Sequence, residues 1–206
     1  RSDGNAFFLE ELVRAAAEGR EEAPGSVLSV MEARLDALAP EARRILRAGS
    51  VLGEHFCRGA VEALVGGAEG ALSLDERLAE LAAHELITRR PASAFPGEVE
   101  YAFRHGLLRE AAYQTLTDAD RALGHRLSGE WLARVGEPSA LVIAEHFERG
   151  GEPARAAAFF ARAAEQALES NDLGAAIERA SRAATPGTRG EALGQLLLVQ
   201  AEAHFW

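Results

Sequence analysis

The sequence has 206 residues, 48% of them hydrophobic, enough for one or two domains with a sizeable buried core and too apolar for a disordered chain. Its 22 basic and 32 acidic residues leave a formal net charge of -10, which argues against a general phosphate-binding surface because nucleic-acid affinity rests on cationic contacts. Every basic residue is arginine, so a P-loop, a protein-kinase core and Schiff-base chemistry, each of which needs a lysine, cannot be completed within these residues.

Cys57 is the single cysteine, which excludes an intramolecular disulfide and a multi-thiolate metal site and suits a reducing cytosol. Between Phe56 and Arg58 it reads as a small buried hydrophobe. No apolar stretch approaches the roughly 18 residues of a membrane span, and Arg1-Ser2-Asp3 leads into an acidic amphipathic segment rather than a signal peptide. A cytoplasmic protein with no membrane partner is expected. The start without Met and the stop at Phe205-Trp206 inside a helical pattern read as a piece of a longer protein.

The predicted elements are almost all helices. Phe8, Leu9, Leu12, Val13 and Ala16 form one apolar stripe closed by Gly19, and a charged linker with Pro24 follows. A second helix carries Val27, Met31, Leu35 and Leu38; a third opens at Pro40 with Ile45, Leu46 and Leu52 inward. Phe56 to Val65 reads as a short fourth helix stopped by Gly66-Gly67. Ser73-Leu74-Asp75-Glu76 reads as a capping box starting a fifth, with Leu78, Leu81 and Ala82 on one face.

The period then changes. Residues 86–90 and 98–104 read as two strands, the second with Val99, Tyr101 and Phe103 at period two, joined by a loop with Pro91, Pro96 and Gly97. Helices followed by such a ribbon match a winged-helix pattern, with a helix from about His105 to Leu116 behind the wing. Helical hairpins follow. One helix has Leu123, Leu127, Trp131 and Val135 inward and ends at Gly136; the next holds Ile143, Ala144 and Phe147 and stops at Gly150-Gly151. Pro153 opens another, with Ala156, Phe160, Ala163 and Ala167 inward; Asn171-Asp172 turns into one with Leu173, Ala176, Ile177 and Ala180. Thr188 and Glu191 read as a second capping box before Leu193, Leu196 and Leu197. Paired helices with small residues at their crossings describe a tetratricopeptide-like array.

Local chemistry is sparse. His55, His84, His105, His125, His146 and His204 lie far apart in sequence without paired metal-ligand spacing, and His146 between Glu145 and Glu148 reads as part of a solvated face. Gly49-Ser50-Val51-Leu52-Gly53 lacks the order of a nucleophile elbow, and Gly66 to Gly70 lacks the spacing of a dinucleotide cradle. No catalytic or metal-ligating residue is expected.

Two strings carry more. Gly4-Asn5-Ala6-Phe7-Phe8-Leu9-Glu10-Glu11-Leu12 resembles the G-N-P-F-F-L-E-E-L segment that ends the nucleotide-binding domain of bacterial STAND ATPases, relatives of the AAA and NB-ARC families. Phe103-Arg104-His105-Gly106-Leu107-Leu108-Arg109-Glu110-Ala111-Ala112-Tyr113 resembles their F-R-H-x-L-L-R-E-A-A-Y segment, at the position of the NB-ARC M-H-D motif. Arg121 to Leu127 and Ala144 to Gly151 are similar to the start of the helical repeats in large myxobacterial proteins in which a serine/threonine kinase precedes the ATPase.

The resemblance implies a mainly α chain: residues 1–22 as the end of an ATPase lid, 23–117 as a winged-helix domain with a small β wing, and 118–206 as a tetratricopeptide-like hairpin array. His105 would sense the β-phosphate of ADP, helped by Gly4 and Asn5, with Ala6 giving a smaller apolar contact than the family's Pro against adenine. The fragment would be no enzyme and hold no cofactor; its parent would bind ATP or ADP with Mg. Its partners would be the upstream nucleotide-binding domain and a protein on the repeats. Arg89, Arg90 and Arg104 form a small basic cluster, but Asp75, Glu76, Glu80 and Glu85 oppose a phosphate backbone, so no specific DNA binding is expected. The alternatives are a nucleotide-independent protein-interaction scaffold and part of a LuxR-type transcription regulator.

Overall fold

A computed structural model describes residues 27–66, 71–184 and 188–205. The stripe from Phe8 to Ala16, the linker after it, and Gly4 and Asn5 lie outside them. Helix α1 (Val27–Asp36) buries Met31 and Leu35, four residues apart and so on one face. Helix α2 (Pro40–Leu52) has Pro at its first position, where the missing N–H has no helical partner to lose, and buries Ile45 and Leu46. Gly49 lets the Phe56 ring lie close on α2, since a Cβ there would be 3.1 Å from it.

That ring belongs to β1 (His55–Cys57), a strand where the sequence predicts helix; α3 (Arg58–Val65) begins only after it. Three residues are too few to display a period. Helix α4 (Ala71–Ala83) starts before Ser73, so the predicted capping box lies inside the helix rather than at its cap. Glu85, at φ 56, turns the chain into β2 (Ile87–Arg89), and β3 (Glu100–Phe103) lies between β1 and β2 in an antiparallel sheet of order β1-β3-β2. Phe56 meets Tyr101 and Phe103 at ring-centroid distances of 5.9 and 5.3 Å.

Period two places Glu100 outward, yet it is buried. The loop over residues 90–99 folds back on it: Ala94 N–H donates to Glu100 at 2.9 Å and Arg90 at 3.3 Å. Glu98 accepts from the Gly59 N–H at 3.0 Å, at the start of α3, where carboxylates are favoured. Phe95 then reaches Trp131 edge-on, with centroids 5.3 Å apart, and so ties the loop to the helical half. Helix α5 (Gly106–Gln114) packs on α1 and α2 through Leu108, Ala111 and Ala112.

The helical half comprises α6 (Asp118–Val135), α7 (Ala140–Arg149), α8 (Pro153–Glu169), α9 (Leu173–Ala183) and α10 (Gly190–Phe205), each packed on the next. Thr117 caps α6 by accepting from Asp120 N–H, Gly136 ends it at φ 83, and Asp172 caps α9 by accepting from Ala175 N–H. Helix α10 starts at Gly190, and the Thr188 hydroxyl donates to the Ala183 carbonyl at 3.3 Å. Close packing of α8 on α9 rests on small side chains, Ala156, Ala163, Ala164 and Ala167 against Ala176, Ala180 and Ala183.

Two arginines span three helices each. Arg155 of α8 lies 4.0 Å from the Phe147 ring centroid of α7 and pairs with Glu130 of α6; Arg182 of α9 lies 4.0 Å from Phe160 of α8 and pairs with Glu148 of α7. Two helices depart from the predicted faces: in α10 Leu196 is buried but Leu197 is 55% exposed, and α6 departs further. Leu123 is 45% exposed, and the buried face carries Gly124, His125, Ser128 and Gly129 beside Trp131 and Leu132. Ala180→Leu is therefore expected to lower urea-unfolding stability by about 1–3 kcal/mol through overpacking, whereas Leu123→Ala changes it by about 0.5 kcal/mol or less. Equal effects of the two substitutions would contradict this packing.

Candidate functional site

The segment from Phe103 to Tyr113 forms the end of β3, a two-residue junction and nearly all of α5. His105 is the residue before the helix, with extended backbone (φ -138, ψ 132), and its carbonyl accepts from Leu108 N–H at 3.0 Å. Its imidazole is not used as a side-chain cap, so the first amides of α5 are not taken by it. Glu54 lies beside them, its Oε1 3.7 Å from the place of a Cβ on Gly106, and its backbone carbonyl accepts from Phe103 N–H. Arg104 pairs with Glu85 at 3.7 Å. The N-terminal end of α5 is thus a polar corner of mixed charge, and Gly4 and Asn5, predicted to share a site with His105, lie outside the described residues.

About 13 Å along the helix axis, at 1.5 Å per residue, the other end of α5 is anchored differently. The Tyr113 hydroxyl is 2.9 Å from His125 Nε2, and His125 Nδ1 is 3.0 Å from His146 Nδ1. Tyr113 comes from α5, His125 from α6 and His146 from α7, so three helices meet in one hydrogen-bonded row. His125 and His146 are 3% and 9% exposed. His146 is therefore part of the interior, not of a solvated face, and histidines 21 residues apart in sequence are in contact.

Small residues make this approach possible. A Cβ on Gly124 would lie 3.1 Å from Val51 of α2, one on Gly129 3.0 Å from the Phe147 ring, and one on Gly150 2.8 Å from the Arg126 backbone nitrogen. Burial lowers both imidazoles from the ordinary 6.5, His125 to about 4 and His146 to about 3; the Arg149 guanidinium acts on both in the same direction, as does His125 on His146. Both rings are neutral at pH 7. The Arg121 guanidinium sits 5.0 Å from the Tyr113 ring centroid.

Elsewhere, Cys57 is buried 3.8 Å from the Ser93 hydroxyl, and desolvation raises its thiol to about 11, so it is no thiolate nucleophile at neutral pH. Among the described residues no group of three or more His, Cys, Asp or Glu could hold a metal ion, and no helix is long and apolar enough to cross a membrane. Compared with protein-family models, curated proteins and solved structures, the chain matches none.

The His125–His146 pair leaves no local pattern in the sequence because the partners sit on different helices. The available signal was the spacing of Gly124, Ser128 and Gly129 around His125, small residues on one helical face that mark a close crossing. Tyr113→Phe removes one bond of the row and leaves a buried ring nitrogen without its partner. It is expected to cost about 1–3 kcal/mol in urea unfolding at pH 7.5, and a loss below about 0.3 kcal/mol would show that the bond is not made.

Proposed function

We propose that the chain is the regulatory part of a bacterial STAND signalling ATPase, a winged-helix unit followed by a tetratricopeptide-like array. In this reading it couples the ATP or ADP state of an upstream domain to partner recognition on the helices and to an attached effector, a serine/threonine kinase by preference. The observation that carries it is the path of the Phe103 to Tyr113 segment. His105 stands at one end of α5, beside amides suited to an anion, while Tyr113 at the other end reaches into the helical half, so a movement at the first is transmitted to the second by one rigid helix.

The order of helices and strands up to β3, with β3 central in the sheet, supports the winged-helix part, and the stacked helices α6 to α10 support the array. A DNA-reading role is disfavoured by charge. Asp75, Glu76 and Glu80 are exposed on α4, Arg90 and Arg104 have carboxylate partners, and loop 90–99 is held against α6. The second reading, a nucleotide-independent scaffold, is favoured by one observation: the Glu54 carboxylate already stands beside the start of α5 and would repel a phosphate.

In the full-length parent, His105→Ala is expected to speed ADP release about 10- to 100-fold, the worth of a hydrogen bond to a charged group, and to raise effector output. Unchanged ADP release would favour the scaffold. For this chain alone, duplex DNA at micromolar protein is expected to give no salt-sensitive mobility shift; such a shift would return the transcription-regulator reading.

A further inference from the structure

The row Tyr113–His125–His146 has a property that does not depend on the nucleotide reading. In the neutral state it can be completed in two directions. Either Tyr113 O–H donates to His125 Nε2 and His125 Nδ1–H donates to His146 Nδ1, or His146 Nδ1–H donates to His125 Nδ1 and His125 Nε2–H donates to the Tyr113 oxygen. One added proton still permits both bonds, with His125 as double donor, but it places a charge in the interior near Arg149. A second proton leaves an N–H on each Nδ1, two donors facing each other at 3.0 Å, and the contact cannot persist.

We propose that this row is an acid-released latch, holding the sheet-bearing half to the first helical hairpin while both imidazoles are neutral and letting α5 part from α6 and α7 when they take up protons. The surroundings favour this. From α7 the facing charge is Arg149, from α6 it is Arg121 over the Tyr113 ring, and α2 meets α6 through the apolar contact of Val51 with Gly124. From α5 the facing group is the Tyr113 hydroxyl itself; desolvation and Arg149 act on both imidazoles and His125 acts on His146, so the nearby charges oppose proton uptake in the closed form. Once opened, the rings regain water and their ordinary affinity for protons.

The sign follows from linkage. The closed form binds protons less tightly than the open one, so the latch is fully held above about pH 6.5 and weakens as pH falls below it, by up to about tenfold per histidine per pH unit. Hydrogen–deuterium exchange of the 206-residue chain at pH 7.5 and 5.0, corrected for intrinsic exchange chemistry, reads this directly. Opening in α5 and on through residue 125, and at residues 143–149, is expected to rise on the order of a thousandfold between the two pH values, with α9 (173–183) still protected. The double substitution His125→Gln with His146→Gln removes that rise.

A second variant covers failure of the double one to fold. In Tyr113→Phe the α6–α7 contact keeps its acid response while exchange in α5 no longer follows pH. The proposal is overturned if wild-type exchange in these segments has the pH dependence of the double variant, if α9 opens in step with them, or if α5 in Tyr113→Phe still follows pH as in the wild type.

Discussion

The placement of α5 against α6 and α7 rests on two imidazole nitrogens, His125 Nδ1 and His146 Nδ1, 3.0 Å apart in an interior that disfavours their charged forms. A buried ring nitrogen must have a partner. Here the partners come from three helices, so meeting that requirement fixes α5, α6 and α7 relative to one another. Apolar packing tolerates sliding; a row of directional bonds does not. The glycines suit the same constraint: a methyl group at Gly150 would run into the Arg126 backbone, and one at Gly124 or Gly129 would press on Val51 or the Phe147 ring.

This junction joins two cores of different character. The first is built from Met31, Leu46, Leu78, Ile87 and Phe103, large side chains around a three-stranded sheet. The second is built largely from alanine, with Phe147 and Phe160 as its bulk, and gains stiffness at its surface from Arg155 and Arg182, each spanning three helices. Cys57 and Ala60 of the first half belong to the second core, and Phe95 brings loop 90–99 onto Trp131. The two halves thus meet at the Tyr113 row, along the α3–α6 contact and through Phe95.

Much of this order is legible in the residues. Pro40, Pro153, Gly136 and Asp172 mark helix ends by backbone chemistry that tertiary context does not override, and the large apolar residues of α2, α4 and α8 point inward as their spacing predicts. What was not legible has a common cause: the signal was too short, too polar or not local. Strand β1 is held by its pairing with β3, 45 residues away for Phe56 and Tyr101. Glu100 is buried because a loop folds over it, and Ser73 lies within a helix that starts earlier. On α6, glycine, serine and histidine form the inner face and carry no hydrophobic signal, which left Leu123 as the misleading candidate. His105 stands at the start of α5, where the sequence places a helix from about His105, whereas the row behind Tyr113 depends on contacts between helices.

His125 and His146 are buried and bonded to each other, and burial keeps both rings neutral. Long-range nitrogen–proton correlation spectra of the imidazole rings, recorded across pH 8 to 4, test it most directly. Neutral-ring nitrogen shifts are expected for both residues at pH 7, with one nitrogen of each ring protonated and no titration near the ordinary 6.5. Two imidazoles that titrate at about 6.5, like a histidine in water, would contradict it.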